Sequence, residues 1–234
     1  MPATETDPLS DTCAVILAAG GGNRVAAADN KVYLELAGRP VLSWSIAALA
    51  GQSDHVMVVV RPGEEAKAVV AAGSVPVEIV EGGDTRFRSE LAALEALADR
   101  VGVGRIDLVL VHDGARPLVT ADLIARVVAE ARRSGGAVPA TPSPPLLARR
   151  DGDLVPVEGE VVSVQTPQGF LALPLLEAFR AAAAAGFEGT DTSSTIERFS
   201  DLAVTVVPGD PDNIKVTWPT DLERAARLLV SRGN

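Results

Sequence analysis

Residues 13–24 read CAVILAAGGGNR. The apolar run CAVILA at 13–18 lacks the alternation of a half-exposed strand and stops at three glycines, Gly20, Gly21 and Gly22. A short continuous apolar run closed by glycine fits a strand buried on both faces, as in a parallel sheet covered by helices. HVMVVV at 55–60 and LVLVHD at 108–113 repeat the pattern. Helical patterns lie between and after these runs, at 40–51, 64–73, 89–101 and 120–135. In the last of these Thr120 is placed to cap, with Leu123, Val127 and Val128 on one face and Arg126 and Glu130 outward. Strand, helix, strand, helix implies right-handed crossovers and a mostly parallel sheet.

After Gly136 the rhythm changes. AVPAT reads as one more strand, whereas PSPPLLARRDGDLVPVEGEVVSV carries prolines, a DGD turn and flanking valines, and so predicts an extended arm or hairpin. TPQGF then leads into a helix at 173–185, the polar GTDTSS precedes a short helix, LAVTVVPGD is a late strand, and PTDLERAARLLVSRG closes as a capped amphipathic helix. The expected fold is α/β: one Rossmann-like domain over 13–234 with a mostly parallel sheet, helices on both faces and an extended β-arm inserted at about 142–163. Residues 1–12 read as a flexible tail.

Composition agrees. The chain has 234 residues, 47% of them apolar but only 3% aromatic, so its core is built from Ala, Val, Leu and Ile. A net charge of −10 disfavours nucleic-acid and anionic-membrane partners. Cys13 is the single cysteine and reads as core; His55 and His112 are the only histidines, which leaves oxygen ligands and a hard cation such as magnesium as the expected metal chemistry. MPATETDPLSDT lacks a signal peptide's basic start and apolar centre, and no run approaches the roughly 18 apolar residues of a membrane span. A cytoplasmic location is expected.

Ligands of open α/β sheets collect beyond the carboxyl ends of the strands. The glycine loop after the first strand, followed by Arg24 and Lys31, is placed there to cradle a phosphate. It matches neither standard phosphate motif: Val25 stands where G-x-G-x-x-G needs its last glycine, and no G-K-[ST] follows. Further candidates stand in EGGDTRFRS (81–89), VHDGARP (111–117) and PGDPDNIKVTWPTDL (208–222), each of which also reads as a solvated turn or a helix cap. His112 reads as a packing or hydrogen-bonding residue, Trp44 as an anchor of helix to sheet, and Trp218 as ambiguous.

Taken in order, AVILAAGGGNR…K, EGGDTRFRS, VHDGARP, VQTPQGF and GDPDNIKVTWPTDL resemble the 2-C-methyl-D-erythritol 4-phosphate cytidylyltransferase family of isoprenoid precursor synthesis, from about Cys13 to about Leu229. HD-x-ARP followed by N-x-KVT-x-P-x-DL is its most specific part. The resemblance implies a nucleotidyltransferase-type fold, a homodimer formed through the extended arm, and transfer of CTP to a polyol phosphate with release of pyrophosphate, assisted by Mg2+. It implies nucleotide binding by Ala18, Ala19, Gly20, Gly22, Gly83, Arg86, Ser89 and Asp113, with Asp113 also near the metal. It assigns Arg24, Lys31 and Lys215 as the cations on the reacting phosphates, and Arg116 and Thr166 to the polyol phosphate.

The chain departs from the family pattern at Asn30 and Val32, at Pro144, Pro145, Leu146 and Leu147 in the arm, and at Glu158, where an arginine is expected. Arg149 or Arg150 could substitute from a shifted arm. Thr192 stands where an acid is common. These departures leave open a cytidylyltransferase for another polyol phosphate, or a non-catalytic nucleotide-binding paralogue. A glycosyltransferase would need a paired-aspartate metal site such as Asp151/Asp153 or Asp210/Asp212.

Overall fold

The computed structural model describes residues 11–20 and 30–233. Its elements in chain order are β1 (Asp11–Leu17), β2 (Glu35–Leu36), β3 (Arg39–Pro40), α1 (Val41–Ala50), β4 (His55–Val60), α2 (Glu65–Ala72), β5 (Glu78–Glu81), α3 (Arg86–Gly102) and β6 (Ile106–Asp113). There follow α4 (Ala121–Ser134), β7 (Gly135–Pro142), β8 (Leu147–Arg150), β9 (Asp153–Pro156), β10 (Val162–Val164), β11 (Gln168–Leu171), α5 (Ala172–Ala184), α6 (Thr192–Phe199), β12 (Ala203–Pro208) and α7 (Pro219–Ser231).

The main sheet runs β10-β7-β11-β6-β1-β4-β5, with β12 also paired to β7. β5, β4, β1 and β6 are mutually parallel, as is β12 to β7. β11 and β10 run antiparallel to their neighbours. The apolar runs are buried on both faces, as their lack of alternation predicts. Ala14 and Ile16 of β1 pack with Val58, Leu110, Ile46 of α1 and Leu123 and Val127 of α4. Cys13 and Val15 face the other way, toward Met57, Val109, Leu94 and Leu97 of α3, and Phe179 of α5. Burial pushes the Cys13 thiol up to about 12, which keeps it an unionised core residue.

Three features go beyond the sequence-based expectation. β1 begins at Asp11, two residues inside the segment expected to be tail, because the Thr12 amide donates to Asp54 Oδ2 at 2.8 Å and pairing with β6 starts there. β5 was not anticipated: EIVE is bracketed by glutamates and is only partly buried, as befits an edge strand. β11, read only as a lead into a helix, is a four-residue antiparallel strand wedged between β6 and β7. The helix starts are capped as drawn: Thr120 Oγ1 accepts from the Leu123 amide at 3.3 Å, and Asp221 accepts from the Thr217 and Trp218 amides at 2.8 Å each.

The arm contains a separate hairpin, β8 against β9, turned by Asp151 and Gly152 with φ of 51° and 96°. Positive φ at both central residues is the requirement of a type I′ turn, which an Asp-Gly pair meets. Leu147 and Leu154 on this hairpin are 58% and 64% exposed. Trp44 packs against the small hairpin of β2 and β3 rather than against the main sheet, with its Nε1 donating to Leu36 O at 3.0 Å and the Arg39 guanidinium 3.4 Å from its ring centre. Among the described residues no helix is long and apolar enough to cross a membrane.

Candidate active site

β1 and β6 are adjacent parallel strands, and their carboxyl ends, Leu17 and Asp113, lie opposite each other in register. A cavity of about 390 Å³ opens beyond them. Of the residues singled out from the sequence, Ala19, Gly20, Lys31, Gly83, Arg86, Ser89, Asp113 and Lys215 line it. Gly22 and Arg24 lie outside the described residues.

Asp113 is the centre of charge. It is 6% exposed and faces three cations from three parts of the chain. Arg86 Nη1 donates to Oδ1; Lys215 Nζ lies 2.8 Å from Oδ2, and Arg116 Nε 3.6 Å from it. Burial alone would raise the Asp113 carboxyl, but Arg86, then Lys215 and Arg116, outweigh it and hold the group far below the usual carboxylate range. It is a permanent anion.

The backbone around the cavity is held from several directions. Asn30, 2% exposed, donates from Nδ2 to Ala18 O at 2.7 Å and to Glu64 Oε2 at 3.0 Å. It thereby ties the turn carrying Lys31 to the end of β1, so this departure from the family pattern is a local fastening. Ala18 is fully buried, and its carbonyl serves that bond rather than the cavity. Arg61, after β4, donates from Nε to Ala19 O at 3.3 Å and from Nη2 to Gly20 O. On the opposite wall Ser89 Oγ donates to Thr85 O at 2.9 Å and to Gly83 O at 3.3 Å, bending the chain into the first turn of α3. Gly83 has no room for a side chain: a Cβ would meet Arg88 Cβ at 2.4 Å.

Arg116 and Thr166, expected at the polyol phosphate, sit beneath the cavity rather than on its lining. Arg116 Nη1 donates to Asn213 O at 2.7 Å. Thr166 Oγ1 accepts from the Asp113 amide at 3.0 Å and lies 3.2 Å from His112 Nδ1, while His112 Nε2 lies 3.2 Å from Arg116 O. A neutral ring protonated on Nε2 satisfies every contact, since Thr166 then donates to Nδ1. Burial pushes His112 down to about 4, which keeps it neutral. It is a hydrogen-bonding residue under Asp113, as its strand-end position suggests.

Sequence inspection missed Glu90. It is 2% exposed, one turn after Arg86 on α3, and its Oε1 lies 2.7 Å from Arg86 Nε. Nothing in EGGDTRFRSEL separates it from a surface glutamate except a helical spacing that turns it toward the core.

The arm residues Arg149, Arg150 and Glu158 do not line this cavity within one chain. The paired aspartates are accounted for structurally. Asp151 turns the hairpin of β8 and β9, and Asp153, paired with Arg150, opens β9. Asp210 accepts from the Asp212 amide at 2.8 Å, and both carboxylates face Arg232, at 3.4 and 3.5 Å.

Comparison with known proteins bears on the family and the fold. Residues 12–231 match the family model of 2-C-methyl-D-erythritol 4-phosphate cytidylyltransferase, IspD. The chain is 40% identical over 225 residues to the protein of that name from Cereibacter sphaeroides strain ATCC 17023, covering 93% of this chain and 96% of that one. It is 39% identical over 225 residues to the bifunctional enzyme IspD/IspF of Dinoroseobacter shibae, covering 94% of this chain and 54% of that protein, so it spans about half of the bifunctional enzyme's length. Among solved structures it resembles the 2-C-methyl-D-erythritol 4-phosphate cytidylyltransferase of Thermus thermophilus, at 34% identity and a TM-score of 0.73 over 92% of this chain and 97% of that one. It also resembles the 4-diphosphocytidyl-2C-methyl-D-erythritol synthase of Anaerococcus prevotii, at 27% identity and a TM-score of 0.82 over 94% and 98%. With a family match across nearly the whole sequence and solved structures of the same fold, the chain belongs to the 2-C-methyl-D-erythritol 4-phosphate cytidylyltransferase family.

Proposed function

We propose that this protein joins CTP to 2-C-methyl-D-erythritol 4-phosphate, releasing pyrophosphate and forming the CDP-polyol of non-mevalonate isoprenoid precursor synthesis. The observation that carries this is the convergence on Asp113 of Arg86, Arg116 and Lys215, beside Lys31 and a glycine-walled cavity. A phosphate oxygen of the polyol substrate attacks the α-phosphorus of CTP in line, and the bond to pyrophosphate breaks. The nucleophile is already ionised near neutral pH, so the protein supplies position and positive charge rather than a base. Lys31 and Lys215 neutralise the charge that grows on the phosphoryl oxygens, with Arg24, from the undescribed loop, assigned beside them. Asp113 keeps Lys215 aimed until substrate phosphates compete for it. Gly83 and Ser89 hold the wall at the cytosine end, where backbone groups meet the edge of the base.

Mg2+ commonly takes one or two carboxylates together with substrate phosphates. Asp113 fits that habit as the one buried carboxylate on the cavity among the described residues; Asp84, the other, has a side chain 82% exposed. Such an ion would be held between Asp113 and the triphosphate and would withdraw electron density from the reacting phosphate.

The hairpin of β8 and β9 exposes Leu147 and Leu154. That apolar surface, on an arm that adds nothing to its own chain's cavity, supports a homodimer in which the arm meets the second copy. Arg149 and Arg150 then become candidates for the polyol phosphate in trans. Arm substitutions favour one alternative reading, a different phosphorylated polyol as acceptor. Pyrophosphate release from CTP over a panel of polyol phosphates tests all of this. Fastest turnover with 2-C-methyl-D-erythritol 4-phosphate supports the first reading, and preference for another acceptor supports the second. CTP binding without turnover on any acceptor would reduce the protein to a nucleotide-binding paralogue.

A further inference from the structure

Glu90 joins two parts of the molecule. Its Oε1 lies 2.7 Å from Arg86 Nε, and its Oε2 accepts from Thr192 Oγ1 of α6 at 3.1 Å. Arg86 continues the line to Asp113 Oδ1, and Asp113 Oδ2 continues it to Lys215. Thr192, Glu90, Arg86, Asp113 and Lys215 therefore form one contiguous chain from α6, through α3 and β6, to a cation on the cavity.

Fold stability does not account for a glutamate here. Thr192 is fully buried and Glu90 nearly so, and removing a carboxylate from water at such a place costs more than an apolar side chain would. What Glu90 does supply is a second carboxylate in ion-pair contact with Arg86, across two buried atoms that have no hydrogen-bond partner. Asp191, beside Thr192, is not available for that contact. Its oxygens accept from Ser193 Oγ at 2.8 Å, the Ser194 amide at 3.1 Å and Gln168 Nε2 at 3.3 Å, which fixes it as the cap of α6. With Asp113 as its only close carboxylate, Arg86 would move onto that group and compete with Lys215 for it. A guanidinium held between two carboxylates leaves one Asp113 oxygen to Lys215.

We propose that Glu90 is a positioning residue for nucleotidyl transfer: from α3 it restrains Arg86 beside Asp113. Thr192 donates the hydrogen bond that orients Glu90. This inference rests on the cytidylyltransferase reading.

The test uses the full chain with Glu90→Gln, Glu90→Val, Thr192→Asp and the double variant Glu90→Val/Thr192→Asp, followed by pyrophosphate release, CTP titration calorimetry and thermal melting. Glu90→Gln is expected to lower kcat/KM for CTP about tenfold at pH 7, with the KM for the polyol phosphate and the melting temperature at that pH little changed. The double variant, with its carboxylate moved to α6, is expected to recover to within about threefold of the parent, whereas Thr192→Asp alone, which sets two acids face to face, is expected to impair. Should Glu90→Val fail to fold, Glu90→Gln alone decides. Wild-type kinetics and CTP affinity in Glu90→Gln would overturn the inference, as would a folded double variant no better than Glu90→Val. Should the parent release no pyrophosphate with any acceptor, the activity reading fails separately. CTP affinity then still decides: about tenfold weaker binding by Glu90→Gln supports the positioning role, and equal binding removes it.

Discussion

Lys215 Nζ stands 2.8 Å from Asp113 Oδ2, joining the turn before α7 to the carboxyl end of β6. The lysine side chain is 40% exposed and the aspartate 8%, so the fixed partner is the buried anion and the movable one is the cation. A cation parked on a rigid carboxylate and open to solvent on its other side can be drawn onto a phosphate without reorganising the core.

Lys215→Ala should therefore cost turnover rather than fold. We expect kcat/KM to fall by about 10²–10³-fold, and a similar loss for Lys31→Ala, with melting temperatures close to the parent. Pyrophosphate release within a factor of about three of the parent from either variant would remove these lysines from the chemistry.

Gly83→Ala should strike the nucleotide wall. Its Cβ would meet Arg88 Cβ at 2.4 Å, and that atom cannot swing aside as the far end of a side chain could, so the backbone before α3 has to shift. CTP affinity measured by calorimetry should drop about tenfold or more, while circular dichroism stays that of the parent. Unchanged affinity would place the cytosine elsewhere.

Two buried groups give the stability curve opposite slopes. His112 sits at about 4 against an ordinary 6.5, because burial disfavours its charged form. The unfolded chain thus binds more protons between those values, and His112's contribution, present above 6.5, is lost as the pH falls to 4. Glu90 sits at about 7 against 4.5, again through burial, opposed by Arg86 and Thr192. Its contribution is present below 4.5 and is lost as the pH rises through 7. The parent should show a shallow dependence between pH 4.5 and 7 because the two oppose each other. Relative to it, His112→Gln should lose stability toward pH 7 and Glu90→Gln toward pH 4.5, each by on the order of 2 kcal/mol in urea denaturation. Curves parallel to the parent's would refute both assignments.

The arm can be tested by charge. Leu147→Glu/Leu154→Glu places two carboxylates on the exposed face of the hairpin of β8 and β9, whose leucines touch nothing that holds the domain together. Sedimentation should show the parent as a dimer and the variant as a monomer at the same concentration, with unchanged far-UV dichroism. A monomeric parent would remove the dimer from the proposal.

Most of the architecture could be read from pattern. The runs at 13–18, 55–60 and 108–113 carry no alternation because both their faces are covered, and the helix after the last of them shows its buried face and its Thr120 cap plainly. β11 was hidden because four residues, QGFL, are too short to show a period, and their strand geometry comes from β6 and β7 on either side. At the site, Asp113 stood out as a charge stepping from an apolar run, Arg86 as one at a helix mouth and Lys215 as one just after a turn, and the family resemblance assigned their roles. Glu90 and Arg61 were not, since their significance lies in partners distant in sequence: Thr192 for one, the carbonyls of Ala19 and Gly20 for the other.

β7 and β12 lie on opposite sides of the arm in sequence yet pair side by side over Gly135–Ala140, and β11, also beyond the arm, is stitched between β7 and β6. The hairpin tip at Asp151–Gly152 is thus a detour whose two ends the sheet has already closed. A peptide bond cut there separates no layer of the core, and Asp113 and Lys215 come from opposite fragments. Two separately made pieces, one ending at Asp151 and the other starting at Gly152, should find each other as β6 and β7 pair with β10, β11 and β12. They should regain cytidylyl transfer only as a pair, which would make this chain a natural split reporter.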